Sequence, residues 1–469
     1  MLANWSEVEP SLDHWIDAHE GDLVNLVQEL VRYPSVSTGL HADSRYPFGV
    51  ACARLADASR EIVEGCGLAW QNHDYFAISA TYRSSAGEAG HDESPERPRI
   101  AFYSHLDVVP AGSEGWDHPP FEPYEKDGWI YGRGSTDNKG PFASVLLALR
   151  FLAEQGVQLN HDVTLFGGFD EEVGMDDAKW IVEHIGPARF NLVSDCSFPV
   201  CVAEKGILEA HVSRRLDDPA LLSLDAGEAA NAIPAVAFAE VMQRKGADNQ
   251  RECPVRHRAV GRAAHAAFPE GSENALVKLA GELAADESLS TVSRDTFAAL
   301  SSLFATHDGQ GLGIALQDDF LGSTTCVPTV ARYENGVLRV LVNVRYPAAS
   351  DGGWVRETFA KSMGDAGFEI DSVLESPARD VSKDSALVQR LTNIVNEELQ
   401  SELRPYSMGG ATHARWIPGA LGFGPGRQFD GVFPPRTGSG HEANEAVGLL
   451  HLEQATKIYV RTIIELDAL

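Results

Sequence analysis

The 469-residue sequence is short of positive charge. It has 38 Lys and Arg against 68 Asp and Glu, a net charge of −30. That deficit argues against nucleic acid or an anionic membrane as a partner. It is compatible with binding hard cations without implying it. Long apolar runs are also lacking. None approaches the ~18 residues that a membrane span requires. The opening Met1-Leu2-Ala3-Asn4-Trp5-Ser6-Glu7 has neither the basic nor the apolar region of a secretory leader. Cysteine is sparse, with Cys52, Cys66, Cys196, Cys201, Cys253 and Cys326 scattered and none in a CxxC pair. That spacing counts against thiolate zinc, and free thiols in a reducing cytoplasm are the simplest account. No repeat period and no low-complexity tract is present. What remains is an ordinary globular composition, 43% hydrophobic and 23% charged, long enough for two or three domains.

The most informative stretch is Ile130 to Pro141. A glycine-rich turn, Gly132-Arg133-Gly134, leads to Asp137-Asn138-Lys139-Gly140-Pro141. A run from Phe142 to Gln155 follows, apolar almost all round, and reads as a buried helix. Pro141 suits its first turn, where a missing donor costs nothing. Asp137 therefore sits on an elbow between a loop and a core helix. It either caps the helix or is held out as a ligand, for instance as a carboxylate bridging two metal ions.

Elsewhere the chain alternates helices and strands. Leu12 to Val31 has mostly helical spacing and ends near Pro34, and Val50 to Cys66 reads as another helix. Residues 83–98 read as an exposed loop. Arg99 to Ser104 is a short buried strand running into His105-Leu106-Asp107. Two residues apart at a strand end, His105 and Asp107 face one side. His105 is either a ligand whose ring tautomer Asp107 fixes or a hydrogen-bonded core histidine. Asp162 to Phe169 is a strand that ends in Asp170-Glu171-Glu172, with a helix around Ala178 to Ile185 beyond. Three acids at a buried strand end are costly unless compensated; the alternative is a solvated acidic turn. Phe190 to Ser194 is a strand ending in Asp195. Functional residues at the carboxyl ends of strands are the α/β pattern.

From Ile207 to about Arg379 the texture turns to strand-like alternation, as in Leu208 to Val212 and Val337 to Val344. Helical runs such as Asn274 to Ala285 lie between. The expectation is an α/β catalytic domain, a mixed sheet flanked by helices, in two parts, 1–206 and 380–469. An inserted α+β lid would occupy 207–379, with chain enough for two subdomains. In the second part of the catalytic domain, Ser385 to Leu399 reads as a helix. Met408 to Arg415 and Gly438 to Glu445 are loops, and a closing helix runs to Leu466.

Gathered together, His105, Asp137, Glu172, Asp195 and His441 make two imidazoles and three carboxylates. Such a set suits zinc, cobalt or manganese. Five ligands exceed what one tetrahedral zinc with an open position takes. They suit two ions about 3.5–4 Å apart, bridged by one carboxylate. Asp137 is the natural bridge, with His105 and Asp195 on one side and Glu172 and His441 on the other. Glu171, beside a ligand yet free of metal, is then placed as general base. Adjacent side chains on an extended strand end point apart, which lets one glutamate bind while its neighbour does not.

The series Ser104 to Pro110, Trp116, Pro120-Phe121, Tyr131 to Gly134, Asp137 to Gly140 and Glu171-Glu172 resembles the di-zinc exopeptidases. That family includes glutamate carboxypeptidases, aminoacylases, desuccinylases and bacterial dipeptidases. Gly261 to Ala267, Pro269-Glu270-Gly271, Asn343 to Pro347, Gly409-Gly410 with Thr412, and Gly440-His441 with Ala443 to Glu445 are similar to its dipeptidase V branch. Ser104 and Asn138 stand where the family more usually has glycine and aspartate or methionine; neither change removes a ligand. The resemblance implies a metal-dependent dipeptidase with two divalent ions, zinc first, manganese or cobalt as alternatives. It implies catalytic roles for Glu171, Asp107 and His265, with substrate contacts from Arg345, Asn231, Gly410, Thr412 and Arg415. A monomer with the lid residues supplied in one chain is expected, acting in the cytoplasm on small peptides. An N-acyl amino acid deacylase on the same machinery is the alternative. A catalytically dead binding protein is a third reading, disfavoured by the intact ligands and Glu171.

Overall fold

The computed structural model describes residues 4–42, 44–84, 98–112, 114–245, 251–349, 351–426 and 433–469. Most of the loop read over residues 83–98 lies outside the described residues. The chain divides into two compact units. The first comprises Met1–Val202, Val381–Tyr406 and Thr412–Leu469; the second comprises Ala203–Asp380 and Ser407–Ala411. Among the described residues, no helix is long and apolar enough to cross a membrane. None of the six cysteines is joined in a disulfide.

The first unit is built on a mixed sheet flanked by helices. Its centre is three parallel neighbours, Asp162–Gly168, Arg99–His105 and Phe190–Val193, in that spatial order. These strands are buried along nearly their whole length, as parallel strands covered on both faces must be. Being parallel and adjacent, they end on one edge of the sheet. That edge receives His105 directly, then the turn after Gly168 and the turn after Val193.

The helix Gly140–Gln155 lies against this sheet with almost every side chain buried, and Gly156 closes it in a left-handed cap at φ 59°. No side chain caps its start. Asp137 is therefore not the helix cap, and its carboxylate is left for other work. Leu449–Asp467 packs beside it, tied by the Ser144 hydroxyl to the Leu452 carbonyl at 3.1 Å. The run read as one helix over Leu12 to Val31 is two, Trp5–Ala18 and Glu20–Val31. His19 leaves helical geometry at φ −114°, ψ 14°. Gly21 weakens continuation, and Glu20 and Asp22 favour a new amino end.

The second unit is one seven-stranded antiparallel sheet rather than two subdomains. Its order is Arg251–Val260, Val236–Lys245, Leu221–Ala226, Thr325–Glu334, Val337–Tyr346, Gly206–Arg215, Glu369–Ser376. Leu208, Ala210 and Val212 alternate inward with period two and share one core cluster with Leu276, Leu279, Phe297 and Leu300 of the helices Ala275–Ala284 and Thr291–Leu303. Ser407–Ala411 also belongs to this unit, not to the catalytic part where the sequence places it. The Lys205 amide donates to the Met408 carbonyl at 3.1 Å, and the Arg345 guanidinium reaches the Gly409 carbonyl at 3.5 Å.

Candidate active site

Three strand ends, the elbow and one loop of the first unit bring the five expected ligands together. The His105 ring is fully buried. Its Nδ1 faces the Asp107 carbonyl oxygen at 3.0 Å and the Asp107 carboxylate at 3.4 Å. With Nδ1 held there by Asp107, Nε2 points into the site. It lies 2.9 Å from Asp137 Oδ1 and 3.8 Å from Asp195 Oδ2. The other imidazole enters from the loop after Gly438. His441 Nε2 lies 3.3 Å from Asp137 Oδ2 and 3.0 Å from Glu172. Asp137 thus presents one oxygen to each histidine, as a bridging carboxylate does. Ligand atoms of His105, Asp137 and Glu172 lie within 4.8 Å of one another, as do those of His105, Glu171 and Asp195.

Backbone and side-chain bonds hold this set. Asp107 accepts the Glu171 amide at 3.3 Å and the Glu172 amide at 3.1 Å, so it orients both the histidine and the acidic turn. Asn138 donates to Asp195 at 3.1 Å and accepts the Ser194 hydroxyl at 3.2 Å. Ser194 in turn meets Ser104 at 2.5 Å. The two positions that depart from the family pattern are thus joined in one network behind Asp195. Asp177, fully buried, accepts the Asp170 amide at 3.0 Å and faces His413 Nε2 at 3.1 Å. That pair anchors the start of the acidic turn.

Packing so many acids shifts their protonation. Burial pushes the Glu171 carboxyl well above its usual range, and the charges of Asp195, Glu172 and Asp137 add to this against His105. Burial and Asp137 raise Glu172 to about 7 and Asp195 to about 6. Asp137 moves the other way: against burial, its bonds to His105 and His441 hold it below the usual carboxylate range. The same bonds, with those from Glu172, lift His441 to about 10. A carboxylate-rich pocket of this kind is costly by itself and is relieved by bound positive charge.

A family model described as peptidase family M20/M25/M40 matches residues 101–465. The chain belongs to that peptidase family. A relative from Bacillus subtilis, named "Putative dipeptidase YtjP", is 28% identical over 471 residues, covering 95% of this chain and 97% of the relative. The crystal structure of human carnosine dipeptidase 1 has the same fold, with a TM-score of 0.61 at 14% identity, covering 98% of this chain and 99% of that one. So does the YXEP protein of Bacillus subtilis, described as a dinuclear metal binding peptidase. Its TM-score is 0.52 at 10% identity, covering 96% of this chain and 99% of that one.

The other expected residues of this peptidase are distributed between the units. In the second unit an isolated bridge pairs Ala232 with His265, and the Asn231 carbonyl accepts the Ala266 amide at 2.7 Å, so Asn231 and His265 are neighbours. The exposed His265 ring accepts the Ala267 amide on Nδ1 at 3.1 Å, leaving Nε2 to donate. Arg345 is buried, its Nε held by Asn343 at 2.9 Å and one amino group facing Gly409 beside Gly410. In the first unit Thr412 is buried and caps the short turn His413–Arg415 through the Ala414 amide at 3.2 Å. Arg415 is buried in that turn.

The sequence assigns no role to Asp177, His413, Arg133 or Glu445, although Arg133 and Glu445 stand in motifs that carry the family resemblance. Each pairs across a long stretch of chain, which local periodicity does not record.

Proposed function

We propose that this peptidase is a metal-dependent dipeptidase. The observation that carries the reading is Asp137, whose two oxygens face two different imidazoles while Glu171 stands beside them. The donor set fits two divalent cations: two imidazole nitrogens, three carboxylates, and ligand atoms already within a few ångströms of each other. His105 and Asp195 would hold one, Glu172 and His441 the other, with Asp137 shared. Zinc suits these ligands best, with manganese or cobalt as alternatives. When bound, such ions polarise a scissile carbonyl and lower the pKa of water towards 7.

The chain's own residues do the rest. Glu171 takes the proton from the attacking water and returns it to the leaving amine. Asp107 keeps the His105 ring in one tautomer and the acidic turn in one orientation. In the second unit His265 is assigned to the developing oxyanion. Arg345, pre-oriented by Asn343, is assigned to the substrate carboxylate. Asn231, Gly410, Thr412 and Arg415 are the further substrate contacts proposed. The dipeptidase names of the relative and of the carnosine enzyme support the choice of a dipeptide.

A panel of unblocked dipeptides, their N-acylated counterparts and their C-terminal amides tests this. Turnover is expected on the free dipeptides and should fall sharply on both blocked sets. Preferential cleavage of N-acyl amino acids would make the protein a deacylase instead, and full activity on amides would remove Arg345 from its assigned role.

A further inference from the structure

The elbow that carries Asp137 turns several backbone donors inward, and one buried side chain collects them. Glu445 is fully buried. Its Oε1 accepts the Thr136 amide at 2.9 Å and the Asp137 amide at 3.1 Å. Its Oε2 accepts the Gly134 amide at 2.9 Å and the Arg133 guanidinium at 2.6 Å. Its own carbonyl accepts the Gly132 amide at 2.9 Å, and the next carbonyl, Ala446, accepts the Thr136 hydroxyl at 2.7 Å. Glu445 is four residues beyond His441. The residue just before His441 passes hard against the elbow: a Cβ on Gly440 would lie 2.8 Å from Asp137 Oδ2. One carboxylate therefore ties the segment that presents Asp137 to the loop that presents His441.

A residue kept only for packing would not be a buried acid, because an uncompensated charge there costs several kcal/mol. Here three amides and a guanidinium compensate it. All four partners are donors, and only a carboxylate offers acceptors on both oxygens. Glutamine would turn an amino group towards one pair of donors.

We propose that Glu445, backed by Arg133, is the positioning residue of the metal centre. It fixes the main chain of Asp137 and the separation of Asp137 from His441, so that one carboxylate can serve both imidazoles. It acts through Asp137 and His441 and touches no reacting atom. This rests on the reading that those two residues hold metal.

The test is chelator-competition titration of zinc into the full-length metal-free chain, with kcat and KM measured in parallel. Glu445→Gln should weaken zinc binding about 10–100-fold, the usual scale for groups that orient ligands. It should lower kcat while leaving KM near wild type. Glu402→Gln, an exposed change in another loop of the same unit, should alter neither. If Glu445→Gln fails to fold, Arg133→Lys carries the test, with a smaller shift in the same direction. A folded Glu445→Gln or Arg133→Lys chain with unchanged zinc affinity would overturn the positioning role while leaving the dipeptidase reading intact. A wild-type chain that takes up no zinc would overturn both.

Discussion

At the scale of single residues, the two neighbouring glutamates carry opposite expectations. Glu172 faces His441 and is bound into the ligand set, whereas Glu171 is not paired with either histidine by a hydrogen bond. Glu171→Ala should therefore keep its metal and lose at least about 100-fold in kcat, the low end of general-base catalysis. Asp137→Ala should lose both metal and activity, because each imidazole loses its shared partner. Activity near wild type in Glu171→Ala would reassign the proton transfer to another group. These residues were legible in the sequence because each stands at the end of a strand or run whose periodicity is local. Arg133 and Glu445 were not, since they meet across 312 positions, nor were Asp177 and His413, across 236. A pairing made by the fold leaves no mark on the spacing of either partner.

At the scale of elements, the site is the common edge of three parallel strands, and that edge concentrates acid. In the metal-free chain Glu172 and Asp195 titrate near 7 and 6, and Glu171 is also raised. Unfolded, such groups titrate near 4. The folded chain therefore holds more protons between about pH 4 and 7, and its stability falls as pH rises through that window. His441, raised to about 10 by the carboxylates around it, contributes stability that is full below about 6.5 and lost by pH 10. Asp137, held low, acts only below about pH 4 and in the opposite sense. Metal binding needs deprotonated ligands, so it gains over the same range. Calorimetry with and without zinc should show a gap in Tm that widens from pH 5 to 9. A gap that stays constant or narrows would contradict the coupling. The element boundaries were less legible than their existence. The break at His19 and the transfer of Ser407–Ala411 to the second unit depend on how the chain packs.

At the scale of the whole molecule, the edge strand Arg251–Val260 bears on assembly. It carries exposed Pro254, Arg256 and Arg258. Proline and clustered charge on an edge oppose pairing with another copy. Light scattering should accordingly find a monomer. A stable dimer, with activity restored by mixing inactive His265→Ala and Glu171→Ala chains, would mean that His265 serves a neighbouring chain. The claim beneath all of this is that five side chains from distant parts of one sequence form a two-ion centre. Elemental analysis of the purified, reconstituted protein measures it. About two zinc, manganese or cobalt ions per chain are expected from such a ligand set, falling below one in Asp137→Ala. No bound metal after reconstitution, or a full complement surviving Asp137→Ala, would contradict it.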